Sequence, residues 1–113
     1  MAQQTVFSKI ISGEIECQKL HEDKICIAFN DIEPQAPIHY LVIPKKPRIN
    51  LLDCENEDIN LLGHLLLVGK EIAIKKDLKD LRTVINNGSE SGQTVFHLHI
   101  HFLSGRPMKW PPG

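Results

Sequence analysis

His97-Leu98-His99-Ile100-His101, flanked by Phe96 and Phe102, is the segment that most restricts how this chain can fold. Polar and apolar positions alternate with a period of two, the period of a strand and not of a helix. Read as a strand, it turns three imidazoles to one face while Phe96, Leu98, Ile100 and Phe102 bury the other. Successive rings would then stand about 6.5 Å apart, twice the rise per strand residue. A solvated surface has no use for three identical titratable side chains in a row, so the pattern implies a cleft.

The rest of the chain is of a size to carry such a strand. Its 113 residues fit one domain spanning 1–113, and 42% hydrophobic with 24% charged residues is a globular composition, neither disordered nor fibrous. Thirteen basic and fourteen acidic residues leave a formal charge of −1, which excludes the broad basic surface of a nucleic-acid coat or polybasic membrane binder. The longest apolar run, Leu65-Leu66-Leu67-Val68, is far short of the roughly 20 residues that span a bilayer. The polar start, Met1-Ala2-Gln3-Gln4-Thr5, lacks the apolar stretch of a signal peptide, so a cytoplasmic address is expected. Cys17, Cys26 and Cys54 form no CxxC pair and are odd in number, as free thiols in a reducing compartment would be.

Thr5 is placed to cap a short amphipathic helix carrying Val6, Phe7, Ile10 and Ile11, with Gly13 at its end. Residues 16–22 and 25–30 read as strands about an Asp23-Lys24 turn, and 39–43, between Pro37 and Pro44, as a third. A long helix is expected over 55–76, acidic at its start and basic at its end. Its apolar face combines Ile59, Leu62, Leu66 and Ala73 with Leu61, Leu65, Val68 and Ile72, and Gly63 and Gly69 permit close approach. Leu67 and Ile74 fall outside that face and hint at a subunit interface. Residues 82–86 and 95–103 complete five strands, separated by the polar loop 87–93. The sum is an α+β fold: a five-stranded, mainly antiparallel sheet with one long and one short helix.

Alternating histidines suit two chemistries. Three imidazoles and a water would make a catalytic zinc site, and the same rings would serve metal-free chemistry on a phosphate. From the pattern alone the two compete. Against metal, no carboxylate lies within residues 94–103 to orient a ligand ring, although distant residues could supply one. The stretch 86–94 is rich in Gly, Ser, Asn and Thr, which offer N–H and O–H donors to an anion. Asp31, followed by Ile32, suits a ribose acceptor beside a base pocket, although an Asp in an Asp-Ile-Glu-Pro turn is more often a turn former or cap.

The run from His97 to Leu103 resembles the alternating signature of the histidine triad superfamily of nucleotide hydrolases and transferases. Phe29-Asn30-Asp31-Ile32-Glu33-Pro34-Gln35-Ala36-Pro37-Ile38-His39-Tyr40-Leu41-Val42-Ile43-Pro44-Lys45 is similar to its other hallmark segment. The ending Trp110-Pro111-Pro112-Gly113 resembles the Hint branch, the histidine triad nucleotide-binding proteins, and the likeness runs from about Thr5 to Gly113. It implies a purine nucleoside phosphoramidase, hydrolysing the P–N bond of adenosine or guanosine 5′-phosphoramidates, with aminoacyl-adenylates as further candidates. Dinucleoside polyphosphate hydrolysis and a nucleotide- or zinc-binding interaction module are the alternatives.

The resemblance assigns the nucleophile to His99, phosphate and proton roles to His97 and His101, and the fourth site histidine to His39. By position Asp31 would accept from the ribose, while Phe7, Ile10, Phe29 and Ile32 would line the base pocket. Asn86, Gly92, Gln93 and Thr94 would surround the phosphate. It also implies a homodimer joined through the long helix and a strand edge; no cofactor or catalytic metal is expected, and the near-neutral charge leaves no nucleic-acid or membrane partner expected. His21 and His64 read as solvated or interface histidines without chemistry. Asn30, Ser91, Thr94, Ser104 and Pro107 stand where His, Gly, Ser, Gly and Gln are common, and Ser104 and Pro107 bear on the shape of the tail.

Overall fold

The structure, a computed structural model, describes residues 4–113; residues 1–3, part of the polar start, lie outside them. Thr5 caps α1 (Val6–Ser12) reciprocally, its hydroxyl accepting from the Ser8 N–H at 3.1 Å while Ser8 Oγ accepts from the Thr5 N–H at 2.8 Å. Strands β1 (Lys19–Glu22), β2 (Cys26–Asn30), β3 (Ile38–Pro44), β4 (Arg82–Val84) and β5 (Ile100–Ser104) form one antiparallel sheet in the order β1-β2-β3-β5-β4. The helix α2 (Ile59–Lys75) covers one face and α1 the other.

Strand alternation divides the core in two. Cys26, Ala28, Tyr40, Val42, Ile100 and Phe102 face α2, where they meet Leu65, Val68 and Ile72. Ile27, Phe29, Leu41 and Ile43 face α1 and meet Phe7 and Ile10. By the same alternation His39 on β3 and His101 on β5 stand on the α1 face, paired strand to strand beside Leu103 and Leu41.

Several elements differ from the sequence expectation, each for a local reason. Residues 56–58 form a separate 3-10 turn before α2, because Asp58 turns inward and is buried. Its carboxylate accepts from Lys46 Nζ at 2.6 Å, from Arg48 Nε at 2.9 Å and from the Glu55 N–H at 2.8 Å, so it is a core ion-pair centre and not a solvated helix start. On α2, Ile59 and Leu66 are exposed along with Leu67 and Ile74, and the buried stripe is Leu65, Val68, Gly69, Ile72 and Ala73. Gly63 faces open space; the close approach is at Gly69 alone.

The largest departure concerns the triad itself. β5 starts at Ile100, not at 95, so His97 and His99 precede the strand. Val42 pairs with Ile100, and two residues further along β3 stands Pro44, which has no N–H for the ladder. The Leu98 N–H therefore finds the Arg48 carbonyl at 2.7 Å instead. Leu98, Ile100 and Phe102 are buried as expected, but Phe96 is 41% exposed because the chain bends ahead of His97. Likewise β1 begins only at Lys19, with a register irregularity before His21, and β4 ends at Val84.

A methyl group at Gly69 would lie 2.0 Å from Phe102 Cζ, and Tyr40 stacks on that ring while its hydroxyl donates to the Gly69 carbonyl at 2.8 Å. Helix propensity would favour Ala by about 1 kcal/mol, whereas overpacking a filled core costs about 1–3 kcal/mol. The clash wins: Gly69→Ala should lower the urea midpoint of unfolding, and an unchanged or raised midpoint would show that the Phe102 contact yields.

Candidate active site

Four histidines converge on the α1 face, and three of them, His39, His97 and His99, are buried. His97 Nε2–H donates to the Pro44 carbonyl at 2.8 Å, an acceptor at the end of β3. His99, 6% exposed, donates from Nδ1–H to the carbonyl of His97 at 2.7 Å. Since a neutral imidazole carries one N–H, that bond fixes the tautomer and leaves the Nε2 lone pair free.

The other two rings form a chain whose polarity can be read from one end. The Gln35 backbone N–H, necessarily a donor, gives its hydrogen to His39 Nδ1 at 3.0 Å. His39 therefore holds its proton on Nε2 and donates it to His101 Nδ1 at 2.9 Å, which leaves a neutral His101 protonated on Nε2. Asp31 lies beside this pair, its Oδ2 at 3.4 Å from His39 Nε2 and 4.0 Å from His101 Nδ1, while its Oδ1 accepts from the Glu33 N–H at 2.8 Å. The His101 and His99 rings are 4.9 Å apart edge to face, and Phe7 closes on His99 at the same distance.

Burial pushes all four imidazoles below their ordinary value, because a charged ring loses its hydration. His101 is pushed down to about 4, first by burial and then by its neighbours His99 and His39, with Asp31 opposing. For His39 burial dominates and Asp31 opposes it; for His97 and His99 the bonds to Pro44 and His97 carbonyls oppose it. The cluster is thus neutral at pH 7. It can offer a nucleophilic nitrogen, but not a ring of fixed positive charge.

A family model described as scavenger mRNA decapping enzyme C-term binding matches residues 4–110. An uncharacterized HIT-like protein of Synechocystis is 57% identical over 114 residues, with both chains covered completely. A HIT family hydrolase from Legionella pneumophila superposes with a TM-score of 0.93 at 44% identity, covering 97% of this chain and 100% of that one. A histidine triad protein from Clostridium difficile gives 0.89 at 38% identity, over 96% and 97%. The chain belongs to the histidine triad superfamily.

Around the triad, the residues expected at the site fall into two groups. Phe7, Ile10 and Phe29 are packed in the α1-side core, and Phe7 alone of them stacks against triad rings. Ile32, 93% exposed, stands beside Asp31, and Thr94 is also exposed. Gln93 differs from expectation. Its side-chain nitrogen donates to the Ile49 and Val95 carbonyls at 2.7 and 3.1 Å, and its oxygen accepts from the Gly88 N–H and Asn50. Its backbone N–H goes to the Gly88 carbonyl and that of Gly92 to Ser89, so both residues hold the loop's shape in this structure, with no donor left for an anion. Gly92, at φ 102°, lets the chain pass beside Asn86. The groups missed by sequence reasoning are all backbone: the carbonyls of Pro44 and His97 and the N–H of Gln35. No side-chain signal could have found them.

The carboxylate missing from residues 94–103 does arrive from elsewhere in the HIT fold. Ligand atoms of Asp31, His39 and His101 lie within 4.8 Å of one another, a trio able to hold a cation. His97 and His99 stand outside that trio, tied to carbonyls.

The lowered imidazoles fix the sign of a pH effect. Between about pH 6.5 and 4 the unfolded chain takes up protons that the folded chain refuses, so stability falls as pH falls through that window. Urea midpoints should decline from pH 7 to 4.5, and His101→Gln should flatten the decline. An NMR titration should find the His101 ring neutral until about pH 4; titration near 6.5 would overturn the assignment.

Proposed function

We propose that this HIT protein is a purine nucleoside phosphoramidase working through a nucleotidyl-histidine intermediate. The observation that carries the reading is the 2.7 Å bond from His99 Nδ1–H to the His97 carbonyl, which keeps the Nε2 lone pair available in a buried ring. Nε2 attacks the α-phosphorus, a P–N bond to His99 forms, and the P–N bond to the amine breaks. The His101–His39 pair, beside Asp31, takes up a proton from solvent as substrate binds, hands it to the departing nitrogen and regains one from the water that attacks next. That second attack breaks the bond to His99 and releases the nucleoside monophosphate.

Other features support the same reading. Asp31 accepts from the ribose, and exposed Ile32 beside it gives a purine ring apolar cover, with Phe7, Ile10 and Phe29 forming the packed core behind the site. Asn86 and the Thr94 hydroxyl are the donors we assign to the phosphate, with Gly92 and Gln93 shaping their loop. The Trp110-Pro111-Pro112-Gly113 ending favours the Hint branch over dinucleoside polyphosphate hydrolases. Exposed Ile59, Leu66, Leu67 and Ile74 on α2 support a homodimer, and the three free cysteines support a cytoplasmic address. Among the described residues no helix is long and apolar enough to cross a membrane.

The test is a side-by-side assay on an adenosine 5′-phosphoramidate and a diadenosine polyphosphate. The phosphoramidate should be strongly preferred, with its rate unchanged by chelators. Rapid quench should trap nucleotide on His99, and His99→Ala should lower turnover by more than about a thousandfold. Preference for the dinucleotide would move the chain to the other branch, and loss of activity on chelation would favour a metal held by Asp31, His39 and His101.

A further inference from the structure

The two histidines left without chemistry come together on the opposite face of the sheet. His21 of β1 and His64 of α2 each place Nε2 at 2.7 Å from the same atom, Asp23 Oδ2. Cys26, the first residue of β2, aims its Sγ at that oxygen from 3.7 Å. The turn between β1 and β2 does not require this convergence. Its amides, those of Ile25 and Cys26, are taken by Asp23 Oδ1 at 2.7 and 2.8 Å, which also fixes the carboxylate's orientation. Two ring nitrogens and a thiol therefore gather around an oxygen that has no part in forming the turn.

We propose that His21, Asp23, Cys26 and His64 form a binding site for one divalent transition-metal ion of the zinc class. The donor set is two imidazoles, one carboxylate and one thiolate, a combination suited to a borderline-soft tetrahedral ion and poor for Mg²⁺ or Ca²⁺. Ligand atoms of His21, Asp23 and Cys26 already lie within 4.8 Å of one another. Around a tetrahedral zinc ion, with bonds of about 2.0–2.3 Å, ligand atoms stand about 3.3–3.7 Å apart, so the two ring nitrogens need only draw back slightly from Oδ2, while Cys26 Sγ is already at that spacing from it. Small side-chain rotations suffice, with each imidazole carrying its proton on Nδ1 in place of Nε2 and the metal standing where the hydrogens now point at Oδ2.

Charge also favours the site. The ion binds with release of the Cys26 thiol proton to solvent, so M²⁺, one carboxylate and one thiolate sum to zero. A neutral complex suits a half-buried position whose surroundings already include Lys24, Lys45 and Lys46. Burial and the nearby Asp23 now hold that thiol proton firmly, at a value of about 12, until a cation replaces it. His21, Asp23 and His64 are each partly exposed, and a cavity of about 410 Å³ lined by Lys24, Ile25, Leu61 and His64 provides the way in. Bound there, the ion would tie the edge hairpin β1–β2 to α2.

The site is separate from the catalytic cluster. Cys26 belongs to the core under α2, whereas His39 and His101 stand on the α1 face of the sheet. The test is to titrate the metal-free full chain with Co²⁺, an optical probe for zinc sites. We expect about one equivalent to produce the visible bands of tetrahedral cobalt together with a thiolate-to-cobalt charge-transfer band. Both should vanish in His64→Ala and in His21→Ala, whose partly exposed side chains can be removed without opening the core. Both should persist in His101→Ala, which disables the other carboxylate–histidine trio. Failure of wild type to bind Co²⁺ would overturn the proposal, as would bands that survive the His21→Ala/His64→Ala double variant or disappear with His101→Ala. Zn²⁺ should displace the cobalt and raise the melting temperature of wild type but not of the double variant.

Discussion

An imidazole that is to attack phosphorus must hold a lone pair on the correct nitrogen, and the bond from His99 Nδ1–H to the His97 carbonyl guarantees it. That bond has a structural precondition. A carbonyl in the middle of a ladder is committed to the neighbouring strand, so residues 97–99 have to stand clear of the sheet while staying beside it. Pro44 provides this: it ends the usable pairing of β3 at the point where the partner would have been Leu98. The same residue then offers its own carbonyl to His97 Nε2–H. One proline thus releases the first two triad residues from the ladder and positions one of them.

The third histidine depends on the sheet in the opposite way. His101 is within β5, so its position follows from the residues on either side of it, Ile100 and Phe102, which are buried under α2. Phe102 sits where Gly69 leaves room for its ring and is covered by Tyr40, whose hydroxyl is bound to the helix backbone. Because side chains alternate, packing on the helix face sets the placement of the imidazole on the other. The close contact of α2 with the sheet therefore bears directly on the distance between His101, His39 and Asp31.

Much of this was legible in the sequence, and the remainder was hidden for identifiable reasons. The Thr5 cap, the Asp23 turn and the order of helices and strands follow from local signals that the structure bears out. The grouping of His39 with the triad comes instead from the family resemblance, and the structure sets its ring 2.9 Å from His101. The strand expected over 95–103 was half right, since alternation records which side chains are buried and not which backbone groups are paired. Ile59 and Leu66 illustrate the limit of helical periodicity: it finds apolar positions, but contact with the sheet uses a narrower stripe. His21 and His64 are 43 residues apart in sequence, and no local pattern brings them to one carboxylate. The acceptors that fix the site's tautomers are main-chain atoms, which every sequence possesses equally.

The near-neutral composition bears on how the site can work. A phosphate can be held by a positive field or by donors and neutral rings, and in the proposed reaction a cluster whose burial disfavours charged imidazoles would use the second. A protonated His99 would have no lone pair, so the burial that weakens attraction for the anion is the condition for nucleophilicity. The single nearby carboxylate then divides the labour. Asp31 approaches His39 at 3.4 Å and His101 at 4.0 Å, where a transient positive charge is useful for moving a proton. His99, by contrast, is hydrogen-bonded to a neutral carbonyl that orients the ring without stabilising its cation as a carboxylate would. In the reaction we propose, the nucleophile and the proton carriers are chemically identical side chains, and what distinguishes them is the acceptor each one meets.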